Sequence, residues 1–225
     1  MAMKLVLRIG GSILGAPPDP SVVSGYSEVI LGLARGGHSV AVVVGGGDVA
    51  RMYIDAAKKL GLSSREQDTI AIQASRVNAR LVAMKLGSDG AIPTSIARAL
   101  ALLRGGKTMV MGGLKPGITT DTVATLLAEA WKSDLLVKAS NQDGIYTADP
   151  RTDSSATLLR SVSYRRLGEI LGGEHRPGIH SIVDPVAVEH LIRKRLRLVV
   201  LNGKDPKNVL RAVKGEDVGT TVVDA

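Results

Sequence analysis

Residues 39–51 read SVAVVVGGGDVAR, and this stretch decides the architecture. Its first six positions carry four valines and no charge. An uninterrupted apolar, β-branched run of that length is a strand covered on both faces, as in parallel sheets flanked by helices. Gly45-Gly46-Gly47 ends the strand, and a helical periodicity runs from Asp48 to Leu60, so strand, glycine turn and helix follow in that order. Outward from this unit the order recurs. Residues 3–9, MKLVLRI, enter Gly10-Gly11-Ser12, and Asp19-Pro20 opens a helix-period stretch that closes at Gly36-Gly37. Ser63 and Glu66 have the spacing of a capping box, ahead of a helix reaching residue 86.

A brief strand is expected near 91–93 and a helix over 94–104. Strand 107–111 runs into Gly112-Gly113, the loop LKPGITT and a helix over 121–131, and strand 134–139 enters the polar loop SNQDGIYTADP at 140–150. Beyond it the pattern predicts helix 163–171, a glycine-rich loop 172–181, helix 184–195, strand 197–201, helix 206–214 and a last strand 219–223. Strands alternating with helices throughout predict a three-layer αβα sandwich around a mainly parallel central sheet. With 225 residues and no linker-like segment, the expectation is a single domain over 1–225.

Composition narrows the function classes. Apolar residues make up 44% and aromatics 2%, so the core is built from Val, Ile, Leu and Ala. The absence of cysteine rules out disulfides and thiolate metal sites. Lys and Arg number 29 against 21 Asp and Glu, a net charge of +8, which calls for an anionic partner. Nucleic acid is the poorer choice: there is no Phe, one Trp and four Tyr to stack on bases, and the basic run Arg193-Lys194-Arg195-Leu196-Arg197 follows a helical pattern. Small phosphorylated molecules fit better. No apolar run approaches the roughly 18–20 residues of a membrane span, and the chain opens on a strand instead of a signal peptide, so a cytoplasmic protein is expected.

The glycine turns at Gly10-Gly11, Gly45–Gly47 and Gly112-Gly113 each follow a strand, and in a parallel sheet they emerge at one edge. Bare main-chain N–H groups, backed by the positive end of the next helix, suit phosphate binding. Two common nucleotide motifs fail. Gly106-Lys107-Thr108 has the tail of a P-loop but Ala101 in place of its first glycine, and it runs from helix to strand. Gly45-x-Gly47-x-x-Ala50 matches a dinucleotide fingerprint, yet Glu66 and Asp68 sit in a helix where an acidic residue at a second strand end is required.

Taken in order, GGS at 10–12, VVVGGGDVAR at 42–51, MGGLKPGITTD at 111–121 and NQDGIYTADPR at 141–151 resemble the amino acid kinase family, most closely its archaeal uridylate kinases, over residues 4–223. The resemblance implies phosphoryl transfer from ATP to UMP on the route to UTP and CTP, with Mg²⁺, in a homohexamer built from dimers. It divides the chain into an acceptor-binding part over 1–132 and an ATP-binding part over 133–225. It sets Gly11, Ser12, Gly47, Arg51, Ser140, Asn141, Tyr146 and Asp149 on ATP. Gly46, Asp68 and the loop Leu114, Lys115, Pro116, Gly117, Ile118, Thr119 and Thr120 are set on UMP, with Asp68 accepting from the ribose hydroxyls. Arg51, four residues past Gly47, points back over an anion at the helix N-terminus. Thr119 and Thr120 suit the uracil edge, and Asp121 suits a helix cap. Asp143 is left between a turn role and a water-mediated contact to Mg²⁺, and no metal ligand is assigned.

Two departures stand out. Many relatives carry lysine two residues before the first glycine pair, where this chain has Arg8; Arg8 is expected to stabilise charge on the transferring phosphoryl group and is the one catalytic assignment. A further lysine of some relatives has no counterpart at 178–184, where a lone loop histidine, His180, more often serves structure than catalysis. Trp131 and the methionines read as packing or interface. The alternatives left open are a relative acting on a carboxylate or carbamate, against which GLKPGITTD speaks, and a nucleotide- or oxyanion-binding protein without turnover.

Overall fold

The computed structural model describes residues 2–106, 108–171 and 183–224. Loop 172–181, with His180, and Lys107 lie outside the described residues. The first half comprises β1 (Lys4–Ile9), α1 (Gly11–Leu14), α2 (Pro20–Arg35), β2 (Ser39–Val44), α3 (Gly47–Lys59), α4 (Ser64–Lys85), α5 (Ile96–Arg104), β3 (Met109–Met111) and α6 (Thr120–Trp131). The second comprises β4 (Leu135–Ser140), β5 (Ile145–Tyr146), β6 (Leu158–Leu159), β7 (Ser161–Ser163), α7 (Tyr164–Leu171), α8 (Pro185–Lys194), β8 (Leu198–Asn202), α9 (Lys207–Lys214) and β9 (Thr220–Val223).

A seven-stranded sheet in the order β3-β2-β1-β4-β8-β9-β7 runs through the molecule, and β5 and β6 form a separate hairpin. Neighbours from β3 to β8 pair in parallel, whereas β9 runs antiparallel to β8 and β7 parallel to β9. Alternate residues of each strand serve opposite layers, as the two-residue repeat of a strand requires. Leu5, Leu7 and Ile9, with Val40, Val42 and Val44, pack on α2, α4 and α9. Val6, Ala41, Val43 and Leu136 pack on α5, α6 and α8. Both faces of the sheet are therefore dry, which is why strand β2 is apolar without alternation. The expected αβα sandwich is the observed one.

Local chemistry fixes the helix starts. Asp19 caps α2 by accepting from Ser21 N at 2.7 Å. Ser63 and Glu66 form the expected capping box, the carboxylate accepting from Ser63 N at 2.8 Å and the hydroxyl from Glu66 N at 3.4 Å. Residues 91–93 and the shortest elements differ from the sequence expectation, whereas Trp131 packs as expected. Residues 91–93 form no strand; Ile92 instead packs against both cores. The one-turn α1, the β5–β6 hairpin and β7 are too short to leave a periodic signal. Trp131 is partly buried against the second core, with the Lys4 ammonium 6.0 Å from its ring centre.

The chain steps from β1 to β2 to β3 across one half of the sheet, then returns to place β4 on the other side of β1. The strand order therefore reverses at the β1–β4 boundary, and a crevice opens beyond the carboxyl ends of strands at such a point. Arg8 and Lys138 are register partners across that boundary.

Candidate active site

Because Ile9 pairs with Val44, the loops after β1 and β2 leave the sheet side by side. Gly10 N donates to Ala139 O at 2.9 Å and Gly45 N to Ile9 O at 3.0 Å. A Cβ on Gly11 would overlap the backbone of Gly45, Gly46 and Gly47; one on Gly47, where φ is +58°, would overlap Gly11 and Ser12. Only glycine permits this approach. Helix α4 secures the third glycine pair: Ser75 Oγ accepts from Gly113 N at 2.8 Å, and Arg76 donates to Gly113 O at 3.0 Å and to Leu114 O at 3.2 Å. One turn on, Asn78 Nδ2 donates to Gly45 O at 3.0 Å. The three turns thus converge at one edge, tied together by residues that sequence reasoning missed. Their signal was the polar pair Ser75 and Asn78 on the buried face of α4.

Two pockets open there. One, of about 420 Å³, is lined by seven of the residues expected on UMP: Gly46, Asp68, Lys115, Gly117, Ile118, Thr119 and Thr120. Leu114 and Pro116 are absent from that wall; Leu114 packs against the second core beneath it. Asp68 accepts from Gly117 N at 2.8 Å, so its carboxylate fastens the 114–120 loop across the pocket mouth. Thr119 is the cap of α6, accepting from Asp121 N at 3.0 Å and donating to Asp184 at 2.5 Å. The expectation that Asp121 would cap this helix is therefore corrected. Asp184 also caps α8 through Ala187 N at 3.0 Å, so it joins two helix starts.

The second pocket, of about 560 Å³, is lined by Gly11, Ser12, Gly47, Arg51, Ser140 and Asn141 from the expected ATP set, together with Arg8. Arg51 reaches back from α3 to donate to Ser12 Oγ at 2.9 Å and also pairs with Asp48, so its head group spans the first two glycine turns. Tyr146 and Asp149 stand off this wall. Tyr146 donates to Asp143 at 3.2 Å, and Asp143 in turn accepts from Asn202 at 2.7 Å, which holds the 140–150 loop against β8. Asp149 grips Arg151 through Nε at 3.0 Å and a terminal nitrogen at 2.8 Å. Arg151, which the sequence reading left unassigned, lines the pocket.

Where the two pockets meet lies a buried charge cluster. The side chains of Arg8, Asp121 and Lys138 are only 16%, 13% and 7% exposed. Lys138 Nζ lies 2.5 Å from one Asp121 oxygen, and Arg8 Nε lies 2.7 Å from the other. The Arg8 contact is an ion pair without an aligned hydrogen bond, and a terminal nitrogen of Arg8 donates to Thr120 at 3.1 Å. Burial alone would raise the Asp121 carboxyl, but Arg8 and Lys138 outweigh it and hold it below its ordinary range. Burial, reinforced by Arg8 and opposed by Asp121, pulls the Lys138 ammonium down to about 8. Sequence reasoning missed Lys138; its signal was one cation inside the otherwise uncharged strand LLVKAS.

No group of three or more His, Cys, Asp or Glu among the described residues is placed to hold a metal ion. Asp121 is the carboxylate on the wall of the larger pocket and is neutralised by two cations. The cations on this wall suit phosphate groups. No helix among the described residues is long and apolar enough to cross a membrane.

The chain is similar to known proteins. Proteins named uridylate kinase from Hyperthermus butylicus and Halorubrum lacusprofundi are 40% and 42% identical, the first over 97% of both chains and the second over 98% of this chain and 93% of the other. The crystal structure of uridylate kinase from Archaeoglobus fulgidus superposes with a TM-score of 0.90 at 38% identity, covering 98% of this chain and 100% of that one. A UMP kinase structure from Bacillus anthracis, 23% identical with a TM-score of 0.83, shares the fold. The model of the amino acid kinase family matches residues 3–202, a span that includes all three glycine turns and both pockets, and the chain belongs to that family.

Proposed function

We propose that the chain transfers the γ-phosphoryl group of ATP to UMP, giving ADP and UDP, with Mg²⁺ carried on the donor nucleotide. The observation that carries this reading is the junction of two adjoining pockets at Arg8 and Thr120, with Arg8 donating to Thr120 at 3.1 Å. The larger pocket, edged by bare amides of Gly11 and Gly47 and the arginine heads of Arg51 and Arg151, suits a triphosphate. Ser140 and Asn141 close it from β4, while Tyr146 and Asp149 act through the loop they brace. The smaller pocket takes UMP. Gly46 and the 114–120 loop hold its phosphate and base, and Asp68 serves the ribose hydroxyls.

A UMP phosphate oxygen attacks the γ-phosphorus in line, the new P–O bond forming as the bond to the β–γ bridging oxygen breaks and ADP departs. Such a transition state asks for position and positive charge more than for covalent help. Arg8 supplies that charge at the meeting point of the pockets. Residues 1–132 supply the acceptor side, and the donor wall is shared: Arg8, Gly10 to Ile13, Gly47, Arg51 and Asp121 reach it from the first part, and Lys138, Ser140 to Gln142 and Arg151 from residues 133–225. Self-association accompanies this reading: α3 and α4 leave Met52, Tyr53, Leu60, Val77, Leu81 and Met84 exposed, an apolar surface that a homohexamer of dimers would cover.

The test is ADP release from Mg-ATP with UMP, CMP, dUMP, acetylglutamate or carbamate as acceptor. UMP is expected to support turnover and CMP to fall about 10⁴-fold below it, because polar groups paired to uracil would be left unpaired. Equal rates with acetylglutamate or carbamate would overturn the substrate assignment. ATP binding with no ADP released under any acceptor would show a binding protein instead of an enzyme.

A further inference from the structure

We propose that Lys138 is a second catalytic cation, whose ammonium donates to an oxygen of the transferring phosphoryl group beside the Arg8 guanidinium. The inference deepens the kinase reading and rests on it. Its first support is placement. Arg8 and Lys138 are register partners on adjacent strands at the reversal of strand order, so their side chains leave the same face of the sheet, and both line the donor pocket.

Charge provides the second. Two cations share one carboxylate in a cluster at most 16% exposed, walled behind by Leu136, Leu191 and Leu198. Arg8 and Lys138 compete for the one carboxylate that both contact, and the second carboxylate that acts on Lys138, Asp184, is taken up by hydrogen bonds from Thr119, Thr122 and Ala187 N. Two buried cations that share one contacting carboxylate are better stabilised when a further anion joins them. The third support is unused capacity: the hydrogen bond Lys138 makes among the described residues goes to Asp121, and an ammonium carries three donors. In the reaction Lys138 keeps its proton. It stabilises the equatorial oxygens while the acceptor oxygen bonds to phosphorus and the bridging oxygen leaves with ADP.

The groups that face Lys138 are Arg8 from β1, Asp121 from α6 and Asp184 ahead of α8, with Arg51 and Arg151 across the pocket. The experiment measures Mg-ATP and UMP turnover, its pH profile and the melting temperature for the parent, Lys138→Gln and Lys138→Arg. Lys138→Gln is expected to lower kcat about 100-fold or more with KM for UMP within about threefold, and to melt no lower than the parent because a one-to-one Arg8–Asp121 pair remains. In the parent, kcat/KM for ATP should fall as pH rises through about 8, where Lys138 loses its proton. Lys138→Arg should keep at least about a tenth of turnover and lose that basic limb, since arginine stays charged. A Lys138→Gln chain within about threefold of parental turnover, or one whose loss of activity tracks a fall in melting temperature shared by Lys138→Arg, overturns the proposal, as does a basic limb that persists in Lys138→Arg. A parent that converts no UMP overturns the kinase reading and this inference together.

Discussion

Asp121→Asn tests the balance of the buried cluster more sharply than any other single change. The substitution conserves shape but leaves Arg8 and Lys138 facing each other without the carboxylate that contacts them at 2.7 and 2.5 Å. Removing one partner from a buried ion pair costs about 3–5 kcal/mol, because the remaining charge stays desolvated. For a chain of this size each kcal/mol moves the melting temperature by about 2–4 °C, so a fall on the order of 10 °C is expected at neutral pH. The deficit depends on pH with a definite sign. Lys138 titrates at about 8 in the fold against an ordinary 10.5, so between those values the unfolded chain binds more protons and this group makes stability rise with pH. A neutral amide in place of the carboxylate no longer favours the charged ammonium, which moves the lower edge of that window down. The variant's deficit is therefore greatest at pH 6 and shrinks as pH rises to about 8, where Lys138 sheds its proton in the parent as well. Differential scanning calorimetry of both chains at pH 6, 7.5 and 9.5 measures it. A drop smaller than about 3 °C at pH 6, or a deficit that grows with pH, would refute the description of Asp121 as the shared counter-ion of two buried cations.

Three further outcomes follow from the geometry. Arg8→Ala should lower kcat about 10²- to 10³-fold with little change in UMP binding, read by steady-state kinetics and isothermal titration; unchanged turnover would remove Arg8 from the reaction. Asp68→Asn should raise KM for UMP more than KM for ATP, because the amide keeps one acceptor oxygen where the carboxylate has two, one of which holds Gly117 N at 2.8 Å and the other of which is left for the ribose; equal changes in both would point to a general fold defect. Gly47→Ala places a Cβ against the Gly11 backbone at a φ of +58°, and a loss of at least about 2 kcal/mol in urea unfolding, together with weaker ATP binding, is expected.

Much of the architecture was legible because it is written locally. The valine run of β2, the glycines that close β1, β2 and β3 and the Ser63–Glu66 capping box each carry their own physical signal within a few residues. The polar loop 140–150 announced itself the same way, although which of its side chains reach the pocket did not. Tyr146 and Asp149 pair with Asp143 and Arg151 instead of facing the pocket, and Arg151 takes a place on the wall. Nothing in the spacing of those residues distinguishes the two orientations.

Periodicity and turn chemistry were sufficient for the sequence by itself to determine the sandwich, the common edge of the glycine turns and the anionic class of ligand. The charged centre was decided only by tertiary structure. Arg8, Asp121 and Lys138 come from β1, α6 and β4, and they meet because β4 returns to the far side of β1 and α6 docks over that seam. Strand β9 lies antiparallel to β8, a pairing with no local signature. Contacts between residues more than a hundred positions apart depend on which strand lies beside which, and strand order is a property of the packed sheet, not of any one segment.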